Sequence, residues 1–219
     1  MTVIHKPMDL GFSSRKLTIF KSWVTGENKT ILDVGCYDGR DSAHFIKNGN
    51  KVYGIEILED KAEEARNRGI SVESFDLDKR TKWPYKDSMF DYVIAGDIIE
   101  HVIYLDDFMK NLSKVMKKDC VLVLSTPNLA SLGRRILLLL GKNPFIELSE
   151  NEYINGFPAV GHVRYFTIGS LTRMLEAHGF VVEETTSDLI NIGSYASTTI
   201  AEIFPSLSWR LIVKARRRE

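Results

Sequence analysis

Cysteine is scarce in this chain: Cys36 and Cys120 are the only two among 219 residues. Neither has the spacing of a metal ligand, and two thiols do not make a disulfide scaffold. Both read as small apolar residues of a reduced protein. Net charge is lacking too, since 29 basic and 29 acidic residues balance to zero. A nucleic-acid binder needs a basic surface to displace counterions, so no nucleic-acid partner is expected. The tail Arg216-Arg217-Arg218 is a local exception, read as a solvated terminus. Long apolar runs are missing as well. Ile136 to Leu140 is far short of a membrane span, and Met1 to Leu10 is too polar for a signal peptide. No internal repeat or low-complexity segment is present. A cytoplasmic location is expected.

What the chain does have is a rhythm. Its 44% hydrophobic and 26% charged residues are those of a soluble globule, long enough for one large domain. Ser13 or Ser14 can cap an opening helix through Val24, with Leu17, Phe20 and Val24 on one face. Strand patterns at 30–34, 51–55, 70–75, 90–95 and 120–125 alternate with helical patterns around 40–48, 59–68 and 105–116. Helices at 129–140 and 168–178 and strands at 180–186 and 208–215 complete the order. The alternation predicts an α/β, Rossmann-like fold: a mostly parallel seven-stranded sheet with helices on both faces. One domain over 1–219 is expected, with 1–28 as an N-terminal helical cap and 129–166 as a substrate-side insertion. Within the latter, 141–166 is a long segment of Gly, Pro, Asn and aromatics, of the kind that often serves as a lid.

The densest chemistry lies in Thr30–Asp41, where a buried strand runs into a turn with Gly35 and Gly39, and in Glu56 at the end of the next strand. A glycine turn after one strand and a carboxylate after the following one make a nucleotide-binding crevice. The carboxylate can accept hydrogen bonds from two ribose hydroxyls at once. A dinucleotide fold wants G-x-G-x-x-G, so that backbone amides reach a pyrophosphate. Here Cys36-Tyr37-Asp38 separates the glycines, and Asp33 would turn a negative charge toward a diphosphate. A ligand with a positive centre and no phosphates suits this strand end better, which disfavours a nicotinamide oxidoreductase.

Taken in order, these motifs resemble the class I S-adenosylmethionine-dependent methyltransferases over roughly residues 28 to 187. Ile31–Gly39 is similar to their D-x-G-x-G-x-G motif, and Glu56 to the acid that holds the ribose. Phe75-Asp76-Leu77 resembles the segment where an Asp meets the adenine amino group, with Asp78 as an equally placed rival. Phe90–Ala95 followed by Gly96–Val102 resembles the fourth strand and its substrate-facing turn, and Leu122–Asn128 the fifth strand with its proline. The resemblance implies S-adenosyl-L-methionine as cofactor and S-adenosyl-L-homocysteine as product. It implies a cofactor site of Asp33, Gly35, Tyr37, Gly39, Glu56, Asp76, Leu77, Gly96 and Asp97. Tyr37 departs from the family, which has glycine there. A side chain at that point should crowd the turn or cover the methionine part of the cofactor.

On the acceptor side, Asp97, Glu100 and His101 are spaced i, i+3, i+4, so one helical turn would present all three together. The trio resembles the acid-x-x-Glu-His stretch of the ubiquinone-pathway O-methyltransferases, where such residues can hold a divalent cation. Two carboxylates and an imidazole would suit manganese or zinc better than magnesium. Related enzymes carry the Glu-His pair without a metal, and no metal is expected here. His101 is then a candidate base. Gly161-His162-Val163-Arg164-Tyr165-Phe166-Thr167 resembles the G-H-x-R-x-F-T stretch of many superfamily members. That makes His162 a second catalytic candidate and Arg164 and Tyr165 substrate candidates. Equally, Thr167 can cap the following helix and Arg164 can pair with an acid to hold the segment. The expected activity is methyl transfer to a small-molecule or glycan- or lipid-type acceptor, at oxygen. Phe75–Asp78 and Ser125–Asn128 also resemble the methionine-biosynthesis methyltransferase-like proteins, whose members can partner another enzyme. The competing reading is therefore a non-catalytic or regulatory binding module.

Overall fold

The computed structural model describes residues 12–144, 153–154, 157–158, 162–192 and 195–218. Much of the expected lid, Gly161 and the first part of the N-terminal cap lie outside these residues. The strands of the main sheet are β1 (Thr30–Val34), β2 (Lys51–Glu56), β3 (Ser71–Ser74), β4 (Phe90–Gly96), β5 (Met116–Pro127), β6 (Phe180–Thr186) and β7 (Arg210–Arg217). They lie in the order β3-β2-β1-β4-β5-β7-β6. β7 runs antiparallel to both its neighbours, and every other pairing is parallel. The expected Rossmann-like sheet is thus observed.

Its sequence logic is visible residue by residue. Side chains alternate across a strand, and here both faces are covered. Ile31, Val121, Val123 and Ile212 pack on one side, and Leu32, Leu122, Leu124, Leu211 and Val213 on the other. Near-continuous apolar runs are the signature of such doubly covered strands. The first side is sealed by α1 (Phe12–Trp23) through Leu17, Phe20 and Val24, and by α2 (Glu59–Asn67) through Ala62 and Ala65. The second is sealed by α3 (Leu105–Val115) through Phe108, Met109 and Leu112, and by a later helix through Leu171 and Leu175.

After β5 come α4 (Leu132–Leu139) and then α5 (Ile168–Ala177). Thr167 caps α5, its hydroxyl accepting from the Ser170 amide while Ser170 Oγ accepts from the Thr167 amide. Between β6 and β7 lie an antiparallel hairpin (Ile190–Ile192 with Tyr195–Ser197) and α6 (Thr198–Ile203), none of which the sequence reading anticipated. One expected helix is absent. Residues 40–48 contain only a 3-10 turn, Ser42–Phe45. In a 3-10 turn positions i and i+3 eclipse, and both Ser42 and Phe45 are buried.

Candidate cofactor and active site

β1 has β2 on one side and β4 on the other, so the strand order reverses at the β1–β4 boundary, where open α/β sheets bind ligands beyond the strand carboxyl ends. The turn after β1 is built from three left-handed residues: Gly35 (φ +75°), Tyr37 (φ +49°) and Gly39 (φ +71°). The amides of Gly35 and Cys36 both donate to the Ile55 carbonyl, tying this turn to β2. A Cβ on Gly39 would sit 2.8 Å from the Ala65 Cβ and 3.0 Å from its Cα, so glycine is what lets α2 approach. Tyr37 has the left-handed conformation that the family's glycine would supply. Its ring neither fills the turn nor is buried. It is 47% exposed, with Lys61 Nζ 5.3 Å from its centroid.

Glu56 is the centre of this corner. Its Oε2 accepts from the Tyr37 amide at 2.8 Å, and its Oε1 from the Ile57 and Leu58 amides at 2.9 and 3.0 Å. The carboxylate is 7% exposed and lines a cavity of about 150 Å³ together with Ile57, Phe75, Asp76, Leu77 and His101. Asp78 shares that cavity, but its Oδ1 accepts from the Ile103 and Tyr104 amides ahead of α3. Asp76 accepts from the Asp78 amide through Oδ1 alone. Each rival thus keeps Oδ2 outside these bonds; Asp76 holds one local amide, whereas Asp78 ties two amides from the segment ahead of α3.

A second cavity, about 280 Å³, opens on the other side of Gly35 and is lined by Asp33, Tyr37, Gly96 and, from α1, Lys16 and Phe20. Asp33 is buried and takes a hydrogen bond from Ser42 Oγ, which is why the 3-10 turn forms where it does. Burial pushes its carboxyl up to about 6, against the opposing pull of the Ser42 hydrogen bond. At this cavity's edge Asp97 (φ +55°) accepts from Lys16 Nζ at 3.1 Å, Ser125 Oγ at 2.9 Å and Arg210 Nε at 3.0 Å. Burial alone would raise the Asp97 carboxyl, but the Arg210 and Lys16 charges hold it below the usual carboxylate range. Lys16 and Arg210 were missed by sequence reasoning. Lys16 left a faint signal, lying four residues before Phe20 on the inward side of α1; Arg210 left none.

The expected trio of Asp97, Glu100 and His101 does not come together. Asp97 has positive φ and residues 98–101 form a turn, so helical spacing does not apply. The group that assembles is Glu100, His101 and His162, whose candidate donor atoms all lie within 4.8 Å of one another. The two imidazole rings meet edge to face at 4.8 Å between centroids. Glu100 is 2% exposed and accepts from Thr126 Oγ1 at 2.9 Å. Burial and then the nearby Asp97 charge raise its carboxyl to about 7. The Glu100 carbonyl accepts from the Val163 and Arg164 amides, which is how two distant segments place their histidines side by side. Arg164 pairs with no acid among the described residues. Its guanidinium donates to the Val102 carbonyl at 3.0 Å and the Ile103 carbonyl at 2.6 Å, and lines a depression away from Glu56. Arg164 therefore clamps the segment. Tyr165 lies beyond His162, 6.3 Å between ring centroids.

A family model described as a methyltransferase domain matches residues 13–185 of this chain. The chain belongs to the class I S-adenosylmethionine-dependent methyltransferases. It is 29% identical to the mitochondrial ubiquinone biosynthesis O-methyltransferase of Bos taurus, over 74% of this chain and 44% of that one. It is 30% identical to the ubiquinone biosynthesis O-methyltransferase of Pelagibacter ubique, over 47% of this chain and 43% of the relative. The chain thus spans under half the length of these curated relatives. Among solved structures, the Burkholderia thailandensis 1,6-didemethyltoxoflavin-N1-methyltransferase, with bound 1,6-didemethyltoxoflavin and S-adenosylhomocysteine, has the same fold. It matches with a TM-score of 0.62 at 15% identity, covering 97% of this chain and 80% of that one. The two cavities fit S-adenosylmethionine. The smaller offers apolar walls and the acids Glu56, Asp76 and Asp78, as an adenosine needs, and the larger offers the cation Lys16 and the buried acid Asp33, as an amino-acid zwitterion needs. Among the described residues, no helix is long and apolar enough to cross a membrane.

Proposed function

We propose that the chain transfers the methyl group of S-adenosylmethionine to a hydroxyl oxygen of a small-molecule acceptor, of which a glycan- or lipid-type molecule is one form. In this reading Glu56 holds the ribose, Asp76 and Leu77 border the adenine, and Lys16 faces the methionine carboxylate. Asp33, Gly35, Tyr37, Gly39 and Gly96 shape the methionine side, and Asp97 steadies Lys16. Bound there, the cofactor supplies an electrophilic methyl group on a sulfonium that leaves as a neutral thioether. The chain's own work is alignment and exclusion of water, worth up to roughly 7–11 kcal/mol when reacting atoms are held at attack distance. A base adds about 10²–10⁴-fold for a hydroxyl acceptor.

The observation that carries this reading is the pairing of His101 with His162 beside the Glu56 cavity. His101 borders the cavity and takes the hydroxyl proton. His162 and Glu100 accept part of the positive charge that results, and a carboxyl that titrates near neutrality suits that role. Residues 162–165 are on the acceptor side, Arg164 acting through the backbone it holds. The test is turnover of methyl-labelled cofactor with a pool of hydroxylated small molecules. Release of S-adenosylhomocysteine with label in an ether product is expected. His101→Asn should lower kcat about 10²-fold or more and flatten its pH profile, leaving cofactor affinity intact. Cofactor binding with no turnover, together with a stably copurifying protein partner, would favour the regulatory module instead.

A further inference from the structure

Among the described residues, the tip of α4 carries the longest run of exposed large apolar side chains, and no catalytic role proposed above uses it. Every residue from Arg135 to Asn143 is exposed. Within that run Ile136, Leu137, Leu138, Leu139 and Leu140 are exposed by 38, 37, 66, 86 and 63%. The end of the helix is firmly made. Gly141 (φ +67°) donates to the Leu138 carbonyl at 3.0 Å and Lys142 to the Leu137 carbonyl at 2.8 Å, the crossed pair of a Schellman cap. The base is anchored as well, with Arg134 buried against Trp209 and Arg135 Nη2 donating to the Ser206 carbonyl.

Two facts say what covers this tip. Successive helical residues are about 100° apart, so five in a row point in every direction around the axis. A flat or grooved protein partner covers one side of such a tip, whereas a fluid medium surrounds it. The second fact is charge. From Cys120 to Ile146 the sequence has no Asp or Glu, while Arg135 and Lys142 flank the apolar tip. Glu202, on α6, is paired with Arg15. We propose that the α4 tip inserts into the headgroup region of an anionic phospholipid bilayer, as interfacial anchors do with an apolar end and flanking cations. α4 leaves the carboxyl end of β5, and Leu129 is bonded to Phe166, so insertion would bring the acceptor side toward the membrane.

The test is co-sedimentation of the whole chain with vesicles of phosphatidylcholine, alone or with a third phosphatidylglycerol. Binding to the anionic vesicles should exceed binding to the neutral ones and weaken with salt. The double variant Leu138→Glu/Leu139→Glu should bind at least about tenfold less. Its affinity for S-adenosylhomocysteine and its melting temperature should match the parent's. Equal sedimentation of variant and parent, or none with either vesicle, would overturn the proposal. So would a parent dimer that the variant dissociates, since a second copy would then be the occupant. A variant melting several degrees lower would overturn it too, because the tip would then be covered by its own chain.

Discussion

Glu56 should be worth as much to the fold as to the cofactor. Its carboxylate collects three backbone amides at 2.8–3.0 Å, from the β1 turn and from the start of α2. Hydrogen bonds to a charged group contribute about 1.5–3 kcal/mol each, and a buried donor left facing another donor costs about 1–3 kcal/mol. Glu56→Gln keeps one oxygen for the Ile57 and Leu58 amides and turns its NH₂ toward the Tyr37 N–H. The expected loss is about 3 kcal/mol, which for a chain of this size lowers the melting temperature by roughly 6–12 °C. Differential scanning calorimetry without ligand reads that loss. Repeating the scan with S-adenosylhomocysteine reads the second role. A saturating ligand at about 100 times Kd adds about 2.7 kcal/mol to the parent, and a variant with weakened ribose contacts should gain much less. An unliganded variant melting with the parent would refute the backbone network. A full ligand shift in the variant would refute the ribose contact.

Other consequences follow from single observations. Glu100 has its carboxyl raised from 4.5 to about 7 by burial, so its folded form binds a proton more tightly than its unfolded form. That contribution is whole below about pH 4.5 and is lost as pH rises through 7, by about 3 kcal/mol at most. Glu100→Gln should therefore gain on the parent between pH 5 and pH 8 in urea midpoint, and an equal gap at both would contradict it. Gly39→Ala combines a left-handed backbone with overlap on Ala65 and should cost about 3 kcal/mol; a loss under 1 kcal/mol in urea would show that α2 can yield. Thr167→Ala removes the α5 cap and should cost about 1 kcal/mol, with Thr167→Ser close to the parent.

The sheet was legible because burial on both faces leaves a local mark: Val121-Leu122-Val123-Leu124 is a short, β-branched-rich apolar run of the kind a doubly covered strand has. The Thr167 cap and the turn glycines were equally local. What escaped depended on partners distant in sequence. The turn at 42–45 is set by Ser42 reaching Asp33, so a helical pattern over 40–48 was misleading. Asp97 takes positive φ while bonded to Arg210, 113 positions away, so its spacing to His101 carried no information. His162 meets His101 only because the Glu100 carbonyl gathers residues 163 and 164. Arg164 turned out to serve carbonyls, and no sequence pattern distinguishes that from an ion pair.

Titration calorimetry with S-adenosylhomocysteine and, separately, with NAD tests most directly what the β1–β4 crevice holds. One binding site per chain for S-adenosylhomocysteine, weakened at least about tenfold by Glu56→Gln, and no heat with NAD are expected. Absence of heat with S-adenosylhomocysteine, or comparable binding of NAD, would contradict the assignment of this crevice.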